Sequence, residues 1–288
     1  RLNANVYALS LKGDTRWGRH TVRYGATYQR ERIHDRMREW ESRDSSGYTL
    51  PHTGEGISLI SSLRSTQDIE SNRLSAYVQE TYTLEHRSGI YNFTGGVRLS
   101  YWDYNNECIV SPRVSVGYNP SFNQRLTFRF ATGVYYQAPF YKEFRDTVQD
   151  SRGNWAVRLN DRIRSQRSIH VILGSDFTFR ALDRPFKLTG EVYYKKLDRL
   201  ISYEVDNVRV WYSGQNNSEG YIAGLDLKLF GEFVPGVDSW LTFSLMSAKE
   251  KTASGYVPLP TEQRYSVGLF FQDYVPRFPK YKFSLRAI

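Results

Sequence analysis

Histidine is the side chain best suited to acid–base work near neutral pH and the commonest metal ligand. His20, His34, His52, His86 and His170 lie far apart in the chain, and none pairs at i, i+4. That spacing offers no zinc helix. Cys108 is the single cysteine, which excludes an internal disulfide and a cysteine-built zinc site. Ser61, Ser62 and His52 share one stretch, but their separation fits no nucleophile–base pair. Glu143, Asp146 and Asp150 crowd another stretch and could offer oxygen ligands, yet they match no calcium-loop pattern. No Gly-rich phosphate loop opens a helix. We therefore expect no catalytic residue, no metal and no cofactor.

Recognition chemistry is better represented. Trp40, Tyr48, Arg145, Arg152, Trp155, Trp211 and Tyr212 lie outside the regular segments, mixed with amides such as Asn216 and Asn217. Flat rings stack on sugars or aromatic chelates, and guanidinium groups pair with carboxylate or phosphate. As a set they are candidates for contact with a polar, anionic or sugar-bearing ligand. The net charge of +9 raises the question of nucleic acid, but the basic residues are scattered and never run five together. Nucleic-acid binding is not expected.

The elements that would carry these residues are read from a period of two. Val22, Tyr24, Ala26 and Tyr28 alternate with Arg23, Gly25, Thr27 and Gln29. The same alternation recurs at Tyr91–Tyr101, Leu126–Tyr136, Leu188–Tyr194, Tyr221–Leu229, Tyr265–Phe271 and Tyr281–Leu285. About twelve strands result, many of ten residues or more, against a usual strand of roughly five to six. No run of apolar residues is long enough for a membrane-spanning helix, but a transmembrane strand shows lipid only every second residue. A strand of about ten residues rising ~3.3 Å each and tilted ~40° covers roughly 25 Å, the height of an outer-membrane apolar band.

Link lengths alternate. Short links are expected at Gly13–Gly18, His86–Ile90, Asn119–Asn123, Leu182–Pro185, Val234–Ser239 and Tyr274–Pro279. Long ones are expected at Glu31–Ile69, Trp102–Val110, Ala138–Ser165, Asp206–Ser218 and Lys249–Thr261. Short turns on one side and long loops on the other fit a bacterial outer-membrane barrel, with Tyr101, Trp102, Tyr135, Tyr136, Tyr203 and Trp240 as its aromatic girdle. If the apolar rows face lipid, Arg23, Gln29, Arg98, Arg129, Gln137, Lys187, Glu191, Lys195, Asp226, Arg264, Lys282 and Arg286 line the lumen, as does His170. A soluble propeller or sandwich also alternates, but its strands are shorter and a propeller would repeat every ~40 residues.

The stretch SPRVSVGYNPSFNQRLTFRFATGVYYQAP, Ser111 to Pro139, resembles the barrel of TonB-dependent outer-membrane transporters. So do KLTGEVYYKKLDRLISYE, Lys187 to Glu204, and NSEGYIAGLDLKLF, Asn217 to Phe230, in that order. The resemblance implies an all-β transmembrane antiparallel barrel of a Gram-negative outer membrane, with short periplasmic turns and long extracellular loops. This chain would be a partial barrel domain over residues 1–288, about twelve strands of a 22-stranded whole. The implied partners are the receptor's own plug domain, which the inner wall would contact, TonB acting through a more N-terminal region, outer-membrane lipid and a small-molecule ligand. The implied function is energy-coupled uptake of a scarce ligand of the siderophore-iron, haem, cobalamin or oligosaccharide class. A passive porin or fatty-acid channel is the alternative, and a barrel-embedded hydrolase a third.

Overall fold

A computed structural model describes residues 1–43, 58–149, 155–206, 209–252, 255–275 and 277–288. Twelve strands form one antiparallel meander: β1 (Leu2–Trp17), β2 (His20–Arg43), β3 (Ser58–His86), β4 (Gly89–Trp102), β5 (Glu107–Pro120), β6 (Leu126–Gln137), β9 (Gln166–Ala181), β10 (Arg184–Asp206), β11 (Arg209–Val234), β12 (Val237–Thr252), β14 (Tyr265–Val275) and β15 (Phe278–Ala287). Two short strands, β7 (Arg145–Gln149) and β8 (Trp155–Leu159), form a hairpin between β6 and β9, and β13 (Gly255–Pro258) folds back on β12. β1 and β15 are the sheet's two edges and are not paired with each other.

The sheet is curled. The segment between β6 and β9 bonds to Asp35 on β2 and to Gly214 on β11. Those strands are seven steps apart in the sheet order. At about 4.8 Å per step that is roughly 34 Å along a flat sheet, so the segment crosses a concave face as a chord.

Alternation assigns the two faces. Tyr24, Tyr28, Leu74, Val78, Leu99, Phe130, Leu173, Val192, Tyr194, Leu227 and Leu245 are all exposed, and cross-strand register sets them side by side on the convex face. Leu74 faces Tyr28 and Tyr101, and Leu173 faces Phe130 and Val192. A water-soluble sheet would bury such a face; a barrel in lipid leaves it bare.

Five of the short links fall where the periodicity put them, at turns after His86, Pro120, Ala181, Val234 and Val275. The first is displaced: β1 runs on to Trp17 and turns at Gly18–Arg19. Gly89, at φ 147°, shows what such a turn demands. A Cβ there would lie 2.2 Å from the Asn119 carbonyl oxygen of β5. Gly89→Ala is expected to cost about 1–3 kcal/mol, read as a lowered midpoint of heat-modifiable gel mobility.

Most of the long excursions prove more regular than expected. The β2–β3 ladder continues to Arg43 opposite Ser58. Residues 103–106 are a tight turn, after which β5 starts at Glu107. β11 starts at Arg209, paired with Asp206, and β12 reaches Thr252 before β13 folds back. Above a lipid band both faces of a ribbon are wet, so hydrophobic alternation fades while the backbone ladder persists. Ala138–Ser165 remains the largest excursion, with its own hairpin. The girdle is also corrected in part: Trp102, Tyr135 and Trp240 belong to the inner face. Trp102 packs with Arg73 and Phe144, Tyr135 with His170 and Arg113, and Trp240 with Phe270 and Lys228.

Candidate functional site

Two groups of side chains occupy the concave side: an inner-wall polar lattice, and the described residues of the segment between β6 and β9, a strap that bonds β2 and β11 across the concave face. On the wall, Gly117, Arg129, Gly174, Glu191, Asp226 and Ser244 form one continuous cross-strand row. Arg129 reaches Asp176 at 3.1 Å and Glu191 at 3.0 Å. Lys187 closes on Asp176 at 3.3 Å, and Thr189 donates to the same carboxylate at 2.8 Å. Glycine at 174 leaves room for this cluster, since a Cβ there would lie 3.3 Å from the Arg129 guanidinium. Lys195 lies over the Tyr193 ring, one cross-strand step from His170, whose ring stacks on Tyr135 at 4.2 Å.

Above this row is a cavity of about 280 Å³ whose lining includes Gln29, Arg73, Arg98, Trp102, Glu107 and Arg113. Arg73 stacks on Trp102 at 4.2 Å and pairs with Glu31 at 3.3 Å. Arg113 lies 4.3 Å from the centre of the Tyr135 ring, and among the described residues Arg98 bonds Ser75, at 3.4 Å. Glu107 is the carboxylate of the lining, and its Oε2 accepts from the Ser165 amide at 2.9 Å and hydroxyl at 2.6 Å. Three guanidinium groups thus line one cavity, Arg73 paired with Glu31 and the lining carboxylate Glu107 committed to Ser165. Such a lining suits an anion.

The strap forms the roof. Ile69, Trp102, Tyr141, Phe144, Ile163 and Ile201 make one buried cluster, flanked by Ile33, Tyr104, Ala138, Leu159 and Tyr212. Asp35 pins it on one side, accepting from the Tyr141 hydroxyl at 2.8 Å and from Arg145 at 3.4 Å. On the other side the Asn160 amide donates to the Gly214 carbonyl at 2.7 Å, and the Arg164 amide donates to Asn216 at 2.7 Å. β8 touches β3 in parallel, Trp155 opposite Leu63. Burial, the hydrogen bond to Asp35 and the Asp35 charge hold the Tyr141 hydroxyl well above the ordinary phenol range, against an opposing pull from Arg145. It therefore stays a neutral donor.

Glu143 sits within the strap. Burial raises its carboxyl above the usual range, while donors from the Phe140 amide and Gln166 pull it back in part. A carboxyl raised in the folded state binds more protons folded than unfolded, so strap stability is greatest at low pH. It falls as pH rises from the ordinary carboxylate value through the raised one. A spin label at Lys142, in a Cys108→Ser background, is expected to become more mobile between pH 4 and pH 7. In Glu143→Gln that pH dependence should vanish.

The candidate contact residues are divided by this arrangement. Arg145 belongs to the strap and ties it to Asp35, and Tyr212 on β11 meets the strap edge-on to Phe140 at 5.6 Å. Trp40 is exposed on β2, and Trp211, opposite Glu204, is exposed on β11. Tyr48 and Arg152 lie outside the described residues. On the wall, Gln29 and Arg98 line the cavity, and Arg129, Lys187 and Glu191 form the ion cluster. Arg23, opposite Gln79, and Gln137, opposite Gln166, take inner-face positions. Asp226 shares the Glu191 row, Lys282 lies over Tyr274, and Arg286 faces Phe270. Arg264 precedes β14, 3.8 Å from Glu262. Among the described residues no group of three His, Cys, Asp or Glu could hold a metal ion. Sequence reasoning missed Asp35, Arg73, Arg113, Glu107 and the ring cluster. Phe140, Tyr141 and Phe144 were a usable signal, because that many rings in one loop exceeds what a solvated loop carries.

A comparison with curated protein sequences finds no match. Solved structures do match: the outer-membrane transporter YddB of Escherichia coli (TM-score 0.62, 12% identity, 93% of this chain and 40% of that one) and the siderophore receptor PirA of Acinetobacter baumannii (0.63, 14%, 94% and 40%). The copper transporter OprC matches similarly (0.62, 13%, 93% and 41%). At these identities the likeness is one of fold, and the chain spans about 40% of the length of those proteins. The family described as TonB dependent receptor-like, beta-barrel, matches residues 1–287. It is a family of receptors and transporters, not of enzymes. With its twelve-strand meander, bare convex face and polar concave wall, the chain belongs to the TonB-dependent receptor β-barrel family.

Proposed function

We propose that this chain is part of an outer-membrane receptor that takes up an anionic metal chelate of the siderophore class, driven by TonB acting on a plug inside the barrel. The supporting observation is the cavity beneath the strap, where Arg73, Arg98 and Arg113 share a lining with Trp102. Guanidinium groups match the oxygens of catecholate or carboxylate chelators, and the indole face offers a stacking surface. The strap closes over that cavity from outside, so a captured ligand would be held between roof, wall and plug. Barrel wall residues such as Arg129 and Glu191 would contact the plug, and the partners are the plug, TonB and outer-membrane lipid. No bond of the cargo is made or broken.

The test is uptake of radio-iron carried by an anionic catecholate chelator, in cells expressing the full-length receptor with and without TonB. Uptake that requires TonB and drops about tenfold or more in Arg73→Gln/Arg98→Gln supports the reading, since each lost charged hydrogen bond costs about 1.5–3 kcal/mol. TonB-independent entry of small solutes of any charge would show a passive channel instead.

A further inference from the structure

A second cavity, of about 230 Å³, adjoins the one beneath the strap. Its lining includes Tyr77, Gln79 and Gly96, together with Arg98, Ser111 and Arg113, which line both cavities. β3 descends from the strap to the turn at His86, so Tyr77 and Gln79 lie roughly 5–15 Å nearer the turns than Ser75 and Arg73 of the first cavity, taking ~3.3 Å per residue and a ~40° tilt. The second cavity is a lower chamber on the same wall. Glycine makes its room: a Cβ on Gly96 would lie 3.0 Å from the Val78 carbonyl oxygen and 3.1 Å from the Gln79 Cβ. The Tyr77 ring lies over Gly25 of β2, where a Cβ would come within 2.7 Å of it.

The polar groups of this chamber lack partners. Among the described residues, the side chains of Tyr77, Gln79, Ser111 and Arg113 make no hydrogen bond, and Arg98 has the 3.4 Å bond to Ser75. Ser111 is 5% exposed, too buried for bulk water to serve its hydroxyl freely. No Asp or Glu is among the lining residues, whereas Arg129, on the strand next to Arg113, is held by Asp176 and Glu191. Two guanidinium groups, an amide, a phenol and a buried hydroxyl therefore offer donors to a space with no carboxylate. Size limits what enters. Each cavity is smaller than the roughly 300–1,000 Å³ that encloses a whole drug-sized ligand, so each suits one arm of a larger one. We propose that the lower chamber is a second anion subsite, and that the cargo is a chelate with at least two anionic arms, one in each cavity, straddling Arg98 and Arg113. A catecholate or carboxylate arm is flat and carries its oxygens in pairs, which guanidinium forks match.

This inference rests on the anionic-cargo reading, and the experiment separates the two. Full-length receptor in detergent is titrated with a ferric tripodal tris-catecholate chelate, and with dihydroxybenzoate as a single arm. The joined arms should bind at least about a hundredfold more tightly than the single one. Gln79→Glu, which sets a carboxylate against the lower arm, should weaken the tripodal chelate at least about tenfold and leave the single arm within about threefold. Tyr77→Phe removes one hydroxyl and should weaken the chelate about fivefold or more, a second reading should the Glu variant not assemble. Failure of the unaltered receptor to bind the chelate would sink the anionic-cargo reading and the second subsite with it. Binding that both variants leave unchanged, or an equal loss for chelate and single arm, would overturn the second subsite alone. So would a benzophenone at Gln79 that cross-links, in free and chelate-loaded receptor alike, to an acidic residue of the receptor's own plug.

Discussion

Val192→Arg is expected to lower clearly the amount of full-length receptor that assembles in the membrane and its resistance to heat. Val192 is 56% exposed on the convex face, level with Leu173 and Leu225 on the neighbouring strands. A guanidinium at mid-height in lipid costs about 2–4 kcal/mol, a large part of the margin by which a domain is folded. The neighbouring position gives the control. Glu191→Gln, one residue away on the concave face, removes one of the two carboxylates that Arg129 holds and keeps the side chain's volume, so assembly should be nearly normal. Heat-modifiable mobility and protease resistance in isolated membranes would read both. If the Arg variant assembled as well as the Gln variant, the convex face would not be against lipid.

Phe144→Ala is expected to release the strap without unfolding the sheet. Phe144 is 2% exposed, with ring centres of Tyr104, Tyr141 and Trp102 at 4.9, 5.7 and 6.0 Å. Emptying that site costs about 3–5 kcal/mol, and a segment held by one cluster and a few hydrogen bonds cannot absorb it. Backbone amides of β7 and β8 should lose hydrogen-exchange protection by a factor of a hundred or more, while those of β4 and β5 keep theirs. Asp35→Ala should act in the same direction from the far side, because the buried Tyr141 hydroxyl and Arg145 would lose their shared acceptor. Protection lost equally throughout the sheet would mean that strap and wall are one cooperative unit.

The two levels of the molecule were unequally legible in the sequence. Where lipid meets one face and water or protein the other, each strand must alternate, so Val22–Gln29 and Leu126–Gln137 announced both their strands and their facing. Outside the band that constraint ends: Arg36 and Met37 sit in the same ladder as Tyr24 and Gly25, but nothing in their types marks a strand. Trp102 and Tyr135 were misassigned to the girdle because an aromatic residue near a strand end satisfies either face. Asp35 and Tyr141 are 106 residues apart, and no local pattern couples them. Phe140, Tyr141 and Phe144 were readable only as an excess of rings in a loop.

The most direct test is a scan of β10 from Phe186 to Leu197, one nitroxide at a time, in a Cys108→Ser full-length receptor reconstituted into bilayers. Collision rates with oxygen, which concentrates in lipid, and with a water-soluble nickel chelate should alternate with a period of two: oxygen high at Leu188, Val192 and Tyr194, low at Lys187, Glu191 and Lys195. Uniform accessibility, or oxygen maxima at the lysine and glutamate positions, would contradict a strand that crosses lipid with its valine, leucine and tyrosine row outward.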